Sequence, residues 1–232
     1  MDRMSPRTLH DSRILLAGAT GVLGSGLARA LRARGAKLAL TGRRTEPLAA
    51  IGAECSAFTY VGDLRDPSHS RRIASDAAAH LGGLDGVVNA AGVVAFGNLI
   101  DTPDDVIEDL FLTNVLAPLW LLRATLPHLQ SGSFVVQVSG VVAESPLPGM
   151  AAYCSSKAAL FAADVALARE LRRVGVSVLD ARPPHTETGL AGRALFGAAP
   201  RMATGLDPQA VVERIVAALE SGEADLPSTA FV

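Results

Sequence analysis

Six short, mostly apolar runs punctuate the chain, at residues 14–17, 38–41, 58–61, 86–89, 134–138 and 176–181. Near-continuous hydrophobicity over so few residues is the pattern of strands buried on both faces, not of strands with one face in water. Between these runs the period becomes helical. Leu23, Leu27 and Leu31 share one face, as do Val211, Ile215 and Leu219 behind an N-cap-like Asp207-Pro208. Alternating strands and helices predict βαβ units, and right-handed crossovers place helices on both faces of a parallel sheet. The expected fold is therefore α/β, a Rossmann-type doubly wound parallel sheet of six to seven strands. Such sheets bind ligands beyond the carboxyl ends of their strands, so the residues just after each run are where chemistry is to be sought.

The 232 residues read as one domain spanning 1–232. Residues 1–11 are polar and are expected to form a flexible, frayed lead-in. The stretch 183–204, rich in Gly, Ala and Pro with little periodicity, is a candidate substrate lid. Hydrophobic residues make up 49% and charged ones 19%, enough apolar side chain for a two-faced core and too much for disorder. A formal charge of −2 with the two signs intermixed offers no field for a nucleic-acid backbone. Two cysteines, Cys55 and Cys154, and five scattered histidines imply neither a disulfide framework nor a metal site. The charge-free run 86–100 is shorter than the ~20 residues a membrane span needs, and the N-terminus has no apolar signal core. A cytoplasmic chain without nucleic-acid or membrane partners is expected.

Immediately after the first run comes Gly18-Ala19-Thr20-Gly21-Val22-Leu23-Gly24, leading into the first helix. Glycines at such a junction let the backbone turn sharply and approach a pyrophosphate, which the helix N-terminus stabilises. The bland alternative is that Gly24 and Gly26 only let helix and sheet pack closely. After the second run stands Gly42-Arg43-Arg44, where an NAD-binding unit has an acid for the ribose 2′-hydroxyl. Two guanidinium groups there suit a 2′-phosphate, which favours NADP while leaving NAD possible; otherwise they are solvated loop charges. Asp63, beside Leu64 after the third run, either accepts from an adenine amino group or caps the next helix.

These elements, with Asn89-Ala90-Ala91-Gly92, Asn114 and Tyr153-Cys154-Ser155-Ser156-Lys157, resemble the short-chain dehydrogenases/reductases over nearly the whole length. The resemblance implies that Asn89, Ala91 and Gly92 line the cofactor, and that Asn114 lies in a distorted helix as part of a proton relay. It implies too that Pro183, His185, Thr186 and Thr188 contact the nicotinamide end. Two departures stand out. The glycine spacing is three and three in place of the family's usual four and two, with Val22 where a glycine is usual. Pro184 replaces the glycine of a common Pro-Gly pair, which fixes φ and removes an N–H.

Tyr153 and Lys157 are four residues apart, hence on one face of a helix. A cation beside a phenol favours the phenolate and brings a group of ordinary pKa ~10 toward the range of a general acid/base. The family's third member is a serine thirteen residues before the tyrosine. That position is Gly140, and Ser139 lies one residue further back. Ser139 is the candidate donor to the substrate oxygen, although adjacent strand residues point to opposite faces. Cys154 reads as packing and Glu144 as a solvated loop residue.

The activity implied is a nicotinamide-dependent oxidoreductase, NADP preferred, acting on a small carbonyl or secondary alcohol, with Tyr153, Lys157, Asn114 and Ser139 as catalytic residues. The alternative is a nucleotide-binding or sensing protein of little turnover on the same fold. By resemblance the chain pairs as a homodimer or homotetramer.

Overall fold

The computed structural model describes residues 6–231. Six parallel strands form one sheet: β1 (Arg13–Ala17), β2 (Lys37–Gly42), β3 (Phe58–Val61), β4 (Leu84–Asn89), β5 (Leu129–Val138) and β6 (Ser177–Ala181). Their order is β3-β2-β1-β4-β5-β6. The chain thus winds outward from β1 through β2 and β3, returns, and winds the other way through β4 to β6. The reversal leaves a crevice between β1 and β4, beyond the carboxyl ends. All six apolar runs became strands. In place of a seventh strand, the described residues show a single parallel bridge from Leu226 to Ala181.

Because side chains alternate along each strand, Ile14 and Leu16 enter one core layer while Leu15 and Ala17 enter the other. The first layer receives α1 (Val22–Ala33), α2 (Thr45–Cys55) and α7 (Pro208–Ser221), through Leu27, Leu31, Leu48, Ile51, Val211 and Ile215. The second receives α3 (Pro67–Leu81), α5 (Ala117–Thr125) and α6 (Ala151–Arg172), with Ile73, Leu121 and Leu171 buried. Helix ends follow local chemistry. Asp207 caps α7 by accepting from the Ala210 amide at 3.0 Å, and Asp66 caps α3 through the Ser68 amide at 2.8 Å.

Between α4 (Asp104–Phe111) and α5 one turn, Leu112–Leu116, is π-helical, with the Ala117 amide donating back to the Leu112 carbonyl. By length and composition the continuous helix Asp104–His128 is apolar enough to cross a membrane. Its inner face is nevertheless buried in the protein: Leu110 is fully covered, and Leu121 and Leu122 pack in the second core layer.

Of the lead-in expected over 1–11, residues 1–5 lie outside those described. The remainder is not frayed: Leu9 is buried in the first core layer, and the Arg7 amide donates to the Glu220 carbonyl at 2.9 Å. One apolar side chain with a place in the core is enough to dock the segment, which a reading of its polar composition does not reveal.

Candidate active site

A cleft of about 930 Å³ lies beyond the carboxyl ends of the strands. Its nucleotide end is made by the turn from β1 into α1. Gly18 has φ +78°, and a Cβ there would lie 2.6 Å from the Ala91 amide nitrogen, so the turn presses directly on the segment following β4. Gly24 packs against the other side of that turn, where a Cβ would be 2.1 Å from the Gly18 carbonyl oxygen. Gly24 therefore shapes the turn from behind, while Gly18, Thr20, Gly21, Val22 and Leu23 line the cleft. The helix begins at Gly21 with no side-chain cap, so its first amides are available to an anion. These features fit a dinucleotide pyrophosphate.

Arg43 and Arg44 flank this end, both exposed and both lining the cleft, with Arg44 anchored by donating to the Thr20 carbonyl at 2.8 Å. Asp63 and Leu64 line it as well. The Asp63 carboxylate is already gripped by Arg65, which donates from its amide at 3.0 Å and from two guanidinium nitrogens at 2.9 and 2.8 Å. Burial pushes the Asp63 carboxyl up, but Arg65 and, more distantly, Arg43 outweigh it and hold it below its ordinary range. Asp63 does not cap α3; Asp66 does. Nothing in the sequence marks Arg65, since only folding shows that it turns back onto Asp63.

At the other end α6 supplies Tyr153 and Lys157, both lining the cleft with Ala91 and Gly92. Lys157 is 5% exposed and its Nζ donates to the Val138 carbonyl at 3.0 Å. Burial lowers its pKa to about 8, although Asp180 and Asp164 pull the other way. Burial pushes the Tyr153 phenol up, so the resting side chain is a neutral proton donor. Asn114, in the π-helical turn, is fully buried. Its Oδ1 accepts from the Val93 amide at 2.9 Å, and its Nδ2 donates to the Val93 carbonyl and the Ser156 hydroxyl, each at 3.0 Å. Ser156 in turn donates to the Tyr153 carbonyl at 2.8 Å. Asn114 thereby ties the loop after β4 to the first turn of α6. Gly92 leaves the room this requires, since a Cβ there would be 3.3 Å from both Asn114 Oδ1 and Lys157 Nζ. Asn89 stands behind the lining, accepting from the Ala91 amide at 3.2 Å.

Ser139 lines the cleft with Tyr153, but its hydroxyl proton is already engaged. It is 1% exposed and donates to Asp180 Oδ2 at 2.8 Å. The strand alternation decides this: Ser139 faces the same way as Gln137, whose neighbour across the ladder is Asp180. Gly140, at the position thirteen before Tyr153, has φ +96°, and the place of its absent side chain is open apart from the Pro183 carbonyl oxygen at 3.9 Å. Glu144 is exposed, as a loop residue is expected to be, but its carboxylate is held. It accepts from Arg182 Nε at 2.7 Å and from the Ser228 amide at 2.9 Å, which ties the substrate loop to the C-terminal segment. Cys154 is buried in an apolar cluster, as its phase on α6 suggested.

The segment 183–204 covers this end as an irregular loop with one short helical turn, Ala191–Arg193. It is sewn to the loop after β4 by Leu195 donating to Val94 at 2.8 Å and Phe96 donating to Phe196 at 2.9 Å. Pro183, His185, Thr186 and Thr188 all line the cleft. Pro184 leaves its neighbours usable: the Pro183 carbonyl accepts from the Val141 amide at 3.0 Å, and the Pro184 carbonyl accepts from the Thr186 hydroxyl at 2.9 Å. Val94, Phe96, Val142 and Met150 make the remaining wall apolar.

The family model for short chain dehydrogenase matches residues 12–195, which hold both the glycine turn and the tyrosine–lysine helix. The chain belongs to the short-chain dehydrogenase family. Its relatives include the human short-chain dehydrogenase/reductase 3, 32% identical over 94% of this chain and 75% of the relative. A short chain dehydrogenase of Pseudocercospora fijiensis is 33% identical over 78% of this chain, which spans only 62% of that relative's length. A short chain dehydrogenase from Burkholderia cenocepacia, solved in complex with NADP, superposes with a TM-score of 0.85 at 27% identity, covering 97% of this chain and all of that one. As a short-chain dehydrogenase the protein is an oxidoreductase acting on CH–OH or C=O groups. Within that frame Gly140 is the departure that matters most for chemistry, because it removes a donor from the place where the tyrosine's partner is expected.

Proposed function

We propose that the protein binds NADP in preference to NAD and moves hydride between nicotinamide and the carbon of a small ketone, aldehyde or secondary alcohol, with Tyr153 as general acid/base. The observation that carries this reading is the placement of half-buried Tyr153 and buried Lys157 on one face of α6, both lining a cleft whose far end is an uncapped helix N-terminus behind Gly18. When bound, the nicotinamide supplies the hydride chemistry. The chain does the rest. The glycine turn and the α1 amides hold the pyrophosphate, Arg43 and Arg44 attract a 2′-phosphate, and no carboxylate stands at 42–44 to repel it. Ala91, Gly92, Pro183, His185, Thr186 and Thr188 border the nicotinamide end.

In reduction Tyr153 gives its hydroxyl proton to the substrate oxygen, and in oxidation it takes that proton back. Its resting neutral form suits the reductive direction. Lys157, as an ammonium, stabilises the phenolate left behind. Asn114 fixes the angle of α6 against the β4 loop, which keeps the phenol in place. A homodimer or homotetramer is the assembly that the family resemblance supports.

A second reading, a nucleotide-binding protein of low turnover, is favoured by Ser139, whose hydroxyl serves Asp180 and leaves the substrate oxygen one donor short. Loss of such a donor typically costs ~3–4 kcal/mol of transition-state stabilisation. Tyr153→Phe separates the two. For an enzyme, NADPH consumption with a panel of apolar ketones and aldehydes falls ~10²–10⁴-fold, while NADPH binding is kept. Binding of NADPH without consumption by either protein establishes the second reading.

A further inference from the structure

Beneath α6 the sheet carries a row of polar side chains that the reaction above does not use. Asn89, Gln137 and Asp180 stand next to one another in the ladder of β4, β5 and β6. Two residues earlier the same rows hold Val87, Val135 and Val178, which belong to the core layer under α6, so the polar row faces α6 as well. All three are buried, at 2%, 0% and 5% exposure. Asn89 Nδ2 donates to Gln137 Oε1 at 2.8 Å. Asp180 Oδ2 accepts from Ser139 and from Arg182, each at 2.8 Å. Asp180 is thus an acid with a cation of its own.

Asp164 differs. It lies two helical turns beyond Lys157 on the same face of α6, is 2% exposed, and does not line the cleft. Neither of its oxygens meets a donor in full hydrogen-bond geometry among the described residues; the nearest is Gln137 Nε2, itself without an acceptor, which lies close enough to pull on the carboxyl's ionisation. An ionised carboxylate so placed carries the full cost of lost hydration, whereas a protonated one does not. Burial, reinforced by Asp180, lifts Asp164 to about 8, against the opposing pull of Gln137 and Lys157. The other titratable or charged groups around the pair are Tyr153 and Cys154 on α6, Asp180 and Arg182 at the end of β6, and Glu144 and Asp225, both held by Arg182 at 2.7 Å.

We propose that Asp164 is a positioning residue for Lys157: a buried carboxyl two turns along the same face of α6, coupled to it in charge, so that when the pocket gains positive charge the proton is lost from Asp164 and not from Lys157. The O–H bond of Asp164 breaks, its proton passes to bulk solvent, and the lysine keeps its three N–H bonds. Two interacting sites of this kind titrate as a pair, and removing one shifts the other. The inference rests on the role given above to Tyr153 and Lys157, but its test does not need turnover.

The test is an NMR titration of protein labelled at Asp carboxyl carbons and Lys amine nitrogens, in the wild type and in Asp164→Asn. Asp164 is expected to ionise several units above the ordinary carboxylate value of ~3.9, together with Lys157. In Asp164→Asn the Lys157 midpoint is expected about one unit lower, and any alkaline limb of kcat/KM moves with it. Thermal stability supplies the sign. A carboxyl whose folded pKa is raised stabilises fully below its unfolded value, and that stability is lost as pH climbs from about 4 toward 8; Asp164→Asn should lack this decline. An unchanged Lys157 midpoint in the variant overturns the proposal. So does ordinary ionisation of Asp164 in the wild type, a measurement that stands even if the variant fails to fold. Absence of carbonyl reduction, with coupled titration intact, overturns the assigned reaction and leaves the coupling.

Discussion

The two ends of the cleft hold their ligand-facing atoms in place by different means. At the nucleotide end the chain offers backbone: Gly18 against Ala91, Gly24 against Gly18, and an uncapped helix start, with Arg43 and Arg44 exposed at the rim. At the other end it offers charge sunk beneath α6, with Lys157, Asp164, Asp180 and Arg182 each 5% exposed or less. The first design tolerates changes of charge and not of volume, because the atoms that matter have no room behind them. The second tolerates modest changes of volume and not of charge, because an ion left alone in low dielectric has nothing to replace its partner.

The sharpest way to test this contrast is to make the same substitution at both ends. Arg182 donates to Asp180, Glu144 and Asp225 at 2.8, 2.7 and 2.7 Å and covers the Phe161 ring at 4.4 Å. Burial works against its charge, but the three carboxylates hold it firmly protonated. Arg182→Met keeps most of the volume and leaves Asp180 buried without its cation, which should cost about 3–5 kcal/mol. That is a fall in Tm of about 6–20 °C for a chain of this size. Adding Asp180→Asn should recover part of it. Arg44→Met, at the exposed rim, should cost no more than about 1 kcal/mol. Equal losses for the two arginines in thermal melts would remove the distinction.

The same contrast separates what can be read from the sequence and what cannot. The glycine turn was legible because a sharp turn against a neighbouring strand admits few residues other than glycine. The six strands were legible because burial on both faces leaves continuous apolar runs. Tyr153 and Lys157 stood out through a four-residue spacing set among the family's other motifs, and both line the cleft from one face of α6. The buried charge was not legible, since Gln137, Asp164, Asp180 and Arg182 meet only after two strands and one helix have come together. Glu144 illustrates the point: the Arg182 that holds its carboxylate is 38 residues away. Ser139 stands between the two: it lines the cleft, while the Asp180 that takes its proton was invisible in the sequence. Arg65 was missed for a smaller reason, a two-residue return onto Asp63 that depends on local turn geometry.

A volume change at the nucleotide end is the converse test. Gly24→Ala adds one methyl whose carbon would sit 2.1 Å from the Gly18 carbonyl oxygen, a backbone atom that cannot move without displacing the turn. Overpacking of this kind costs about 1–3 kcal/mol. The turn should shift away from Ala91, and NADPH affinity, measured by fluorescence titration, should fall more than stability does. A variant that melts earlier and binds NADPH normally would mean that the turn and the pyrophosphate site are separable.

The smallest effect tests whether charge at the nucleotide end does anything beyond steering. Arg43 makes no hydrogen bond within the described residues, lines the cleft, and lies close enough to Asp63 to affect its ionisation. Arg43→Asp should leave the melting temperature almost unchanged, because the side chain is exposed. It should lower the preference for NADPH over NADH about tenfold, equivalent to about 1.4 kcal/mol lost from a single phosphate contact. The affinity ratio is the quantity to measure, since the absolute affinities also carry the pyrophosphate and ribose contacts that the substitution leaves alone. A constant ratio would reassign the phosphate to Arg44 or Arg65. Because Arg65 is clamped on Asp63 and Asp109 and Arg44 on the Thr20 carbonyl, each of those arginines would have to give up an existing partner to take it, which is why Arg43 is expected to dominate.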